Sequence, residues 1–420
     1  MTMIPPRTRR VLYLLAVAAA SMVIHAPAEG QERARARDLG IRLPGTPGPL
    51  NAITDVAGVE VGHATIIRGE GRLVRGEGPV RTGVTAILPR GRTGPDSVFA
   101  AWATLNGKGE MTGTTWIEAS GILEGPVLIT NTHSVGVVRD ATIDWMSRNG
   151  RAPIFALPVV AETFDGALND DMGFHVRPEH VFAALDGARG GPVPEGNVGG
   201  GTGMICNFFK GGIGTASRRV TVGDSVYTVG VLVQCNYGSR RSLRVDGVPV
   251  GEAIPDLRAC IAGTQPASRP WLARVPLCAG QASADDAGPS RIEGIGSIIV
   301  VVATDAPLLP HQLKRMATRV SLGVGRMGGF GENSSGDIFL AFSTGNRGGA
   351  TVTEGIGTLR MLSNEEIDPF FSATVYATEE AILNAMLAAG TMTGADGFRV
   401  HALPHDRLVE VMRRHHRIAN

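Results

Sequence analysis

Aromatic residues are scarce in this chain, 5% of 420 residues, and cysteine is scarcer still, at four. Four cysteines with no Cys/His run at ligand spacing exclude a zinc-finger or zinc-ribbon site, and the absence of His-Glu-x-x-His removes the zinc-peptidase signature. An excess of charge is also missing. Forty Lys and Arg against 39 Asp and Glu leave +1, which argues against nucleic acid as a partner and against disorder. No Gly-x-Ser-x-Gly occurs, so a conventional α/β-hydrolase is disfavoured. The glycine-dense stretches Gly199 to Gly203 and Gly211 to Gly214 lack the Gly-Lys-Ser/Thr ending of a nucleotide-phosphate loop. The one Gly-x-Gly-x-x-Gly match, Gly323 to Gly328, follows a helical pattern rather than a strand, which excludes a dinucleotide site. No cofactor and no metal are expected.

What is abundant is glycine. Its 57 residues are about twice the usual share of roughly 7%, without a collagen period, and imply tight turns and backbone packed against backbone around a cleft. With 43% hydrophobic residues there is material for a large core. Residues 1–28 read as an export leader: Arg7, Arg9 and Arg10, then an apolar Val11 to Ile24, then Ala26-Pro27-Ala28 as a small-residue cleavage site. The apolar part is short of the about 20 residues a membrane span needs, so a membrane anchor is the weaker alternative. A mature protein in the periplasm or secreted, without stable membrane association after leader removal, is expected. Residues 29–50 read as an extended arm, with the domain beginning near Leu50.

The central stretch is Gly294-Ile295-Gly296-Ser297, running straight into Ile298-Ile299-Val300-Val301-Val302. Ser297 stands at the mouth of a buried strand. Cleavage of the Gly296–Ser297 bond would place a hydroxyl nucleophile and an α-amine, of unperturbed pKa about 7.7–8.0, on one residue. The same dipeptide also occurs as an ordinary loop ending. Further strands are expected at 83–88, 126–130, 153–160, 228–235 and 336–344, and helices at 134–149, 310–320, 378–389 and 404–417. Cys260 and Cys278 bracket a polar, proline-rich loop (252–296) and suit a disulfide in an exported protein. Cys206 and Cys235 sit among apolar residues and are expected to stay reduced.

Four blocks, Val159 to Gly166 with Glu162-Thr163-Phe164-Asp165-Gly166, Val231 to Gly238 with Asn236, Gly296 to Val301, and Asn333 to Thr344 with Ser335-Gly336-Asp337, resemble the L-aminopeptidase/D-Ala-esterase/amidases and β-peptidyl aminopeptidases, the self-processing serine enzymes of peptidase family S58. The resemblance covers nearly the whole chain after the leader. It implies an α/β fold, a four-layered α-β-β-α sandwich of N-terminal-nucleophile type, cut into a larger chain (29–296) and a smaller one (297–420). It implies Ser297 as nucleophile, Asn236 as oxyanion donor, Ser335 and Asp337 as the groups orienting it, and Glu162 as the anchor of the substrate ammonium. Phe164 lies in the substrate-binding block where some relatives carry tyrosine, and Asp337 replaces the glutamate of others. The implied partner is a short peptide or amino-acid amide, including β-amino acyl peptides, and the implied assembly is a homo-oligomer, a tetramer of processed heterodimers. A non-catalytic periplasmic binding protein and an acyltransferase of similar architecture are the alternatives; the latter begins its small chain with threonine.

Overall fold

The β-branched runs Val229–Val233 and Ile298–Val302 lie side by side in the middle of one sheet, and their alternation builds the layers on either side of it. The computed structural model describes residues 34–94, 97–151, 155–264, 269–279, 296–352 and 354–418, all in one unit spanning 33–420. The proposed leader and much of the loop before Gly296 lie outside the described residues.

The first sheet has four strands in the order β1 (Glu60–Arg68), β2 (Val80–Leu88), β5 (Val127–Asn131) and β6 (Val159–Thr163). The second has six, in the order β4 (Ile122–Leu123), β3 (Val98–Gly107), β13 (Gly336–Ser343), β12 (Ser297–Thr304), β10 (Ser225–Asn236) and β9 (Gly212–Val222). A hairpin of β7 (Ile205–Cys206) with β8 (Phe209–Lys210), and a small sheet in the order β11 (Cys260–Ile261), β15 (Phe398–Val400) and β14 (Met392–Thr393), complete the strands among the described residues. Helices α2 (Val135–Arg148) and α3 (Pro178–Asp186) pack on the four-stranded sheet, and α5 (Pro310–Arg326) and α6 (Asp368–Ala388) on the six-stranded one. Shorter helices are α1 (Thr114–Ser120), α4 (Val250–Ala253) and α7 (His405–Arg414).

Side chains two apart on a strand share a face. On β12, Ile299, Val301 and Ala303 therefore enter a core shared with Ile87, Val127, Ile129 and Ala161 of the other sheet. Ile298, Val300 and Val302 enter a second core with Leu313, Met316, Ala377 and Ala381 of α5 and α6. A third core joins Val84, Leu128 and Val160 to Val138, Val181 and Leu185 of α2 and α3. The layers are thus α-β-β-α, as expected. Burying one Val or Ile side chain contributes about 1.5–3 kcal/mol, so neither sheet is stable with its faces uncovered.

Several details differ from the sequence expectation. The arm is docked rather than loose: Ala36, Ile41 and Leu43 are buried, Arg35 pairs with Glu195 at 2.8 Å, and Arg37 pairs with Glu380 at 2.9 Å. The strand placed at 153–160 begins at Val159 and runs to Thr163, because Pro158 ends the preceding coil. Helix α6 starts ten residues before Thr378, with Pro369 at its first turn, where the β-branched and aromatic stretch Phe370 to Tyr376 conceals the helical period. Cys206 and Cys235 are a disulfide, not free thiols, because β7 lies beside the end of β10 and brings their Cα atoms to 5.5 Å. Cys260 and Cys278 are bonded as expected.

Candidate active site

Strand register alone brings three of the sequence-selected residues, Ser297, Asn236 and Asp337, together. Ser297, the first residue of β12, pairs with Asn236, the last of β10, and the next residue, Ile298, pairs in parallel with Asp337 at the start of β13. Ser297 shares the inter-sheet face with Ile299, is only 5% exposed, and its Oγ accepts a hydrogen bond from the Gly336 N–H at 3.0 Å. That contact fixes one lone pair and leaves the hydroxyl proton free for a base. Ser335, one residue back, donates its hydroxyl to Asp337 Oδ1, and the Ile298 N–H donates to the same oxygen at 3.3 Å. Asp337 Oδ2 is buried without a hydrogen-bond partner. Burial pushes the Asp337 carboxyl up to about 6, against the Ser335 hydrogen bond that favours the charged form.

Position 296 has room only for glycine. A Cβ there would lie 1.9 Å from the Asn236 carbonyl oxygen and 3.4 Å from Tyr237 Cα, so the residue before Ser297 packs against the main chain that carries Asn236. The Asn236 side chain is held at both ends. Its Oδ1 accepts from the Ile205 N–H at 2.7 Å, and its Nδ2 donates to the Phe164 carbonyl at 3.0 Å, leaving the second amide hydrogen available. Two residues earlier, Gln234 Nε2 donates to the Thr130 carbonyl and to Thr163 Oγ1, both at 2.9 Å, which locks β10 to the strands of the other sheet beneath the site.

Glu162 stands on β6 in that other sheet and is 3% exposed. Its Oε1 accepts from the Glu110 N–H at 3.0 Å and its Oε2 from the Thr132 hydroxyl. Desolvation raises its pKa, opposed chiefly by the Thr132 hydroxyl. Among the described residues neither Glu162 nor Asp337 forms an ion pair. Two buried carboxylates lined only by neutral hydrogen-bond donors favour the binding of a cation. Phe164 is half-exposed, with its ring edge-on to His133 at 6.4 Å, and His133 lies 6.4 Å from Phe174. An aromatic rim of Phe164, His133 and Phe174, in which His133 Nδ1 lies 3.2 Å from Asp171 Oδ2, therefore stands near the Glu162 carboxylate.

The segment joining the two halves of the site was not singled out in the sequence. Lys108 N–H donates to the Ser335 carbonyl at 3.2 Å, Gly109 packs against Gly336, and Thr112 N–H donates to the Val160 carbonyl at 3.0 Å. Residues 108–112 thus run from β13 to the free edge of β6. A Cβ on Gly336 would sit 2.6 Å from Gly109 Cα, so both glycines are needed for this contact. The turn-like run Asn106-Gly107-Lys108-Gly109 was the available signal.

The comparisons with known proteins agree with this arrangement. The model of peptidase family S58 matches residues 51–400. The β-peptidyl aminopeptidase BapA of Sphingosinicella microcystinivorans is 51% identical over 97% of this chain and 99% of its own length, and BapA of Sphingosinicella xenopeptidilytica is 48% identical over 90% and 91%. Among solved structures, the L-aminopeptidase D-Ala-esterase/amidase of Ochrobactrum anthropi superposes with a TM-score of 0.80 at 46% identity, covering 92% of this chain and 99% of that one. It is described as a prototype for the serine aminopeptidases and a new variant of the N-terminal-nucleophile hydrolase fold. A Burkholderia β-aminopeptidase gives 0.77 at 45% identity, covering 91% and 99%. An α-β-β-α sandwich with a buried serine at the head of a central strand, matched over nearly its whole length by such enzymes, places this chain in peptidase family S58 as a serine aminopeptidase.

Proposed function

We propose that the chain cuts itself between Gly296 and Ser297 and then removes N-terminal residues from short peptides and amides, β-amino acyl peptides included. In the precursor the Ser297 hydroxyl attacks the Gly296 carbonyl, the Asp337 carboxylate takes the hydroxyl proton and returns it to the Ser297 nitrogen as the Gly296–Ser297 C–N bond breaks, and the resulting ester is hydrolysed by water. In the processed enzyme the freed α-amine of Ser297 acts as base while its Oγ attacks the substrate amide. Asn236 Nδ2 stabilises the oxyanion, Ser335 and Asp337 orient the nucleophile, and water releases the acyl group. Glu162 takes the substrate ammonium, with Phe164 beside it bounding the side chain.

The observation that carries the reading is the buried Glu162 carboxylate, without an ion pair among the described residues and tied by residues 108–112 to the strand beside Ser297. The preference for β-amino acyl substrates is supported by the relatives of 51% and 48% identity, which bear that name. Export, with mature chains of 29–296 and 297–420, is supported by the two disulfides, which form in oxidising compartments. We extend the proposal to a homo-oligomer of processed units, measured by light scattering.

The test compares kcat/KM for β-homoalanyl, L-alanyl and D-alanyl amides with and without N-acetylation. Free-amine substrates, the β-homoalanyl amide foremost, should be cleaved. Glu162→Gln should raise KM for them by about tenfold or more, the scale of one charge-assisted hydrogen bond. Equal hydrolysis of acetylated and free substrates would overturn the role of Glu162.

A further inference from the structure

Outside the site, one cationic side chain in the core is Lys210 on β8. It is fully buried, and it forms no ion pair among the described residues. Its Nζ donates to the carbonyls of Met204 at 2.7 Å, Gly211 at 2.8 Å and Gly201 at 3.4 Å. Desolvation lowers the ammonium to about 7. A methionine would fill similar space without that penalty, so the three donors must do something that volume does not.

The Met204 carbonyl and the Ile205 N–H belong to one planar peptide group and point in opposite directions. On one side that group accepts from Lys210, and on the other it donates to Asn236 Oδ1 at 2.7 Å. Lys210, the 204–205 peptide and the Asn236 carboxamide therefore form one chain of hydrogen bonds, and Asn236, paired in register with Ser297, keeps one Nδ2 hydrogen beyond the one given to the Phe164 carbonyl. Chains of this kind polarise cooperatively: a donor carrying positive charge at one end strengthens the donor at the other. The hairpin that presents the peptide is also fastened by the Asn207 N–H to the Tyr237 carbonyl at 2.7 Å and by the Cys206–Cys235 disulfide.

We propose that Lys210 is a positioning residue for catalysis, which orients and polarises Asn236 through the Met204–Ile205 peptide group. The proposal rests on the reading of Asn236 as the oxyanion donor. It predicts that Lys210→Met slows both self-cleavage of purified precursor and kcat roughly tenfold, with KM within about twofold of wild type.

A double-mutant cycle with Asn236→Ala, read as the first-order rate of chain cleavage by intact mass, separates the possibilities. If Lys210 acts through Asn236, Lys210→Met adds no further loss once Asn236 is alanine. Equal losses in both backgrounds would mean a structural role only and would overturn the proposal, as would a Lys210→Met rate equal to wild type while Asn236→Ala is slow. An Asn236→Ala rate equal to wild type would overturn the oxyanion reading itself and the proposal with it. Where Lys210→Met does not fold, Lys210→Gln, which keeps a neutral donor and loses the charge, enters the same cycle: a slower rate that gives no further loss with Asn236→Ala supports the polarising role, and a rate equal to wild type overturns it.

Discussion

Gly296→Ala tests the packing that precedes the nucleophile. The added Cβ would lie 1.9 Å from the Asn236 carbonyl oxygen and 2.9 Å from its carbon, both backbone atoms that cannot swing aside. Restoring even a tight contact of about 3 Å requires the two strands to separate by about 1 Å at the bond to be cut. A misplacement of that size costs on the order of a hundredfold in rate, so self-cleavage of the variant should be slower than wild type by about that factor. The assay is intact-mass spectrometry of purified precursor over time, with circular dichroism to show that the fold persists. Gly325→Ala is the control. A Cβ there meets nothing within 4 Å, and the substitution lies in α5, where alanine stabilises by roughly 0.5–1 kcal/mol. A Gly296→Ala precursor that processes at the wild-type rate would refute the reasoning.

Asp337, at about 6, lies above its ordinary value, so the folded protein holds an extra proton between that value and about pH 6, and the group's contribution to stability falls as pH rises through this window. Self-cleavage, which needs its ionised form, should slow below about pH 6. Ser335→Ala removes a hydrogen bond that favours the carboxylate and should move that limb to higher pH in a rate-against-pH series; an unmoved limb would show that another group titrates. Glu380, fully buried, receives Arg218, Arg37 and Asn51, so Glu380→Ala strands the buried Arg218 and should cost about 3–5 kcal/mol in urea unfolding; a loss below 1 kcal/mol would contradict the pairing. Both disulfides lie before Ser297, so the processed chains should separate on denaturing electrophoresis without reductant. Co-migration of the two chains until reduction would contradict those pairings.

The site was legible where its residues stand at the ends of recognisable strands. Ser297 precedes an unbroken β-branched run, Asn236 ends a second, apolar strand, and Ser335-Gly336-Asp337 opens a third, so reading the strands placed the candidate residues. The register that joins them was not legible, because pairing of β10, β12 and β13 depends on contacts between residues as far apart as Val229 and Thr304. Strand β9 was missed because Gly212 to Val222 mixes small and charged residues; its buried Arg218 is met by Glu380 of α6 at 2.6 Å and by the carbonyls of Pro44, Ser217 and Tyr376. The Cys206–Cys235 bond escaped for a related reason. Apolar neighbours signal burial, but only the two-residue strand β7, too short to show a period, places one cysteine beside the other.

The central claim, that Ser297 becomes a chain terminus by its own attack on Gly296, is tested most directly by intact mass and N-terminal sequencing of the purified wild type beside Ser297→Ala. The account predicts two fragments in the active wild type, the smaller beginning Ser-Ile-Ile-Val, and a single uncut, inactive chain in the variant. An active wild type that remains one chain, or a Ser297→Ala protein cut at the same bond, would contradict it.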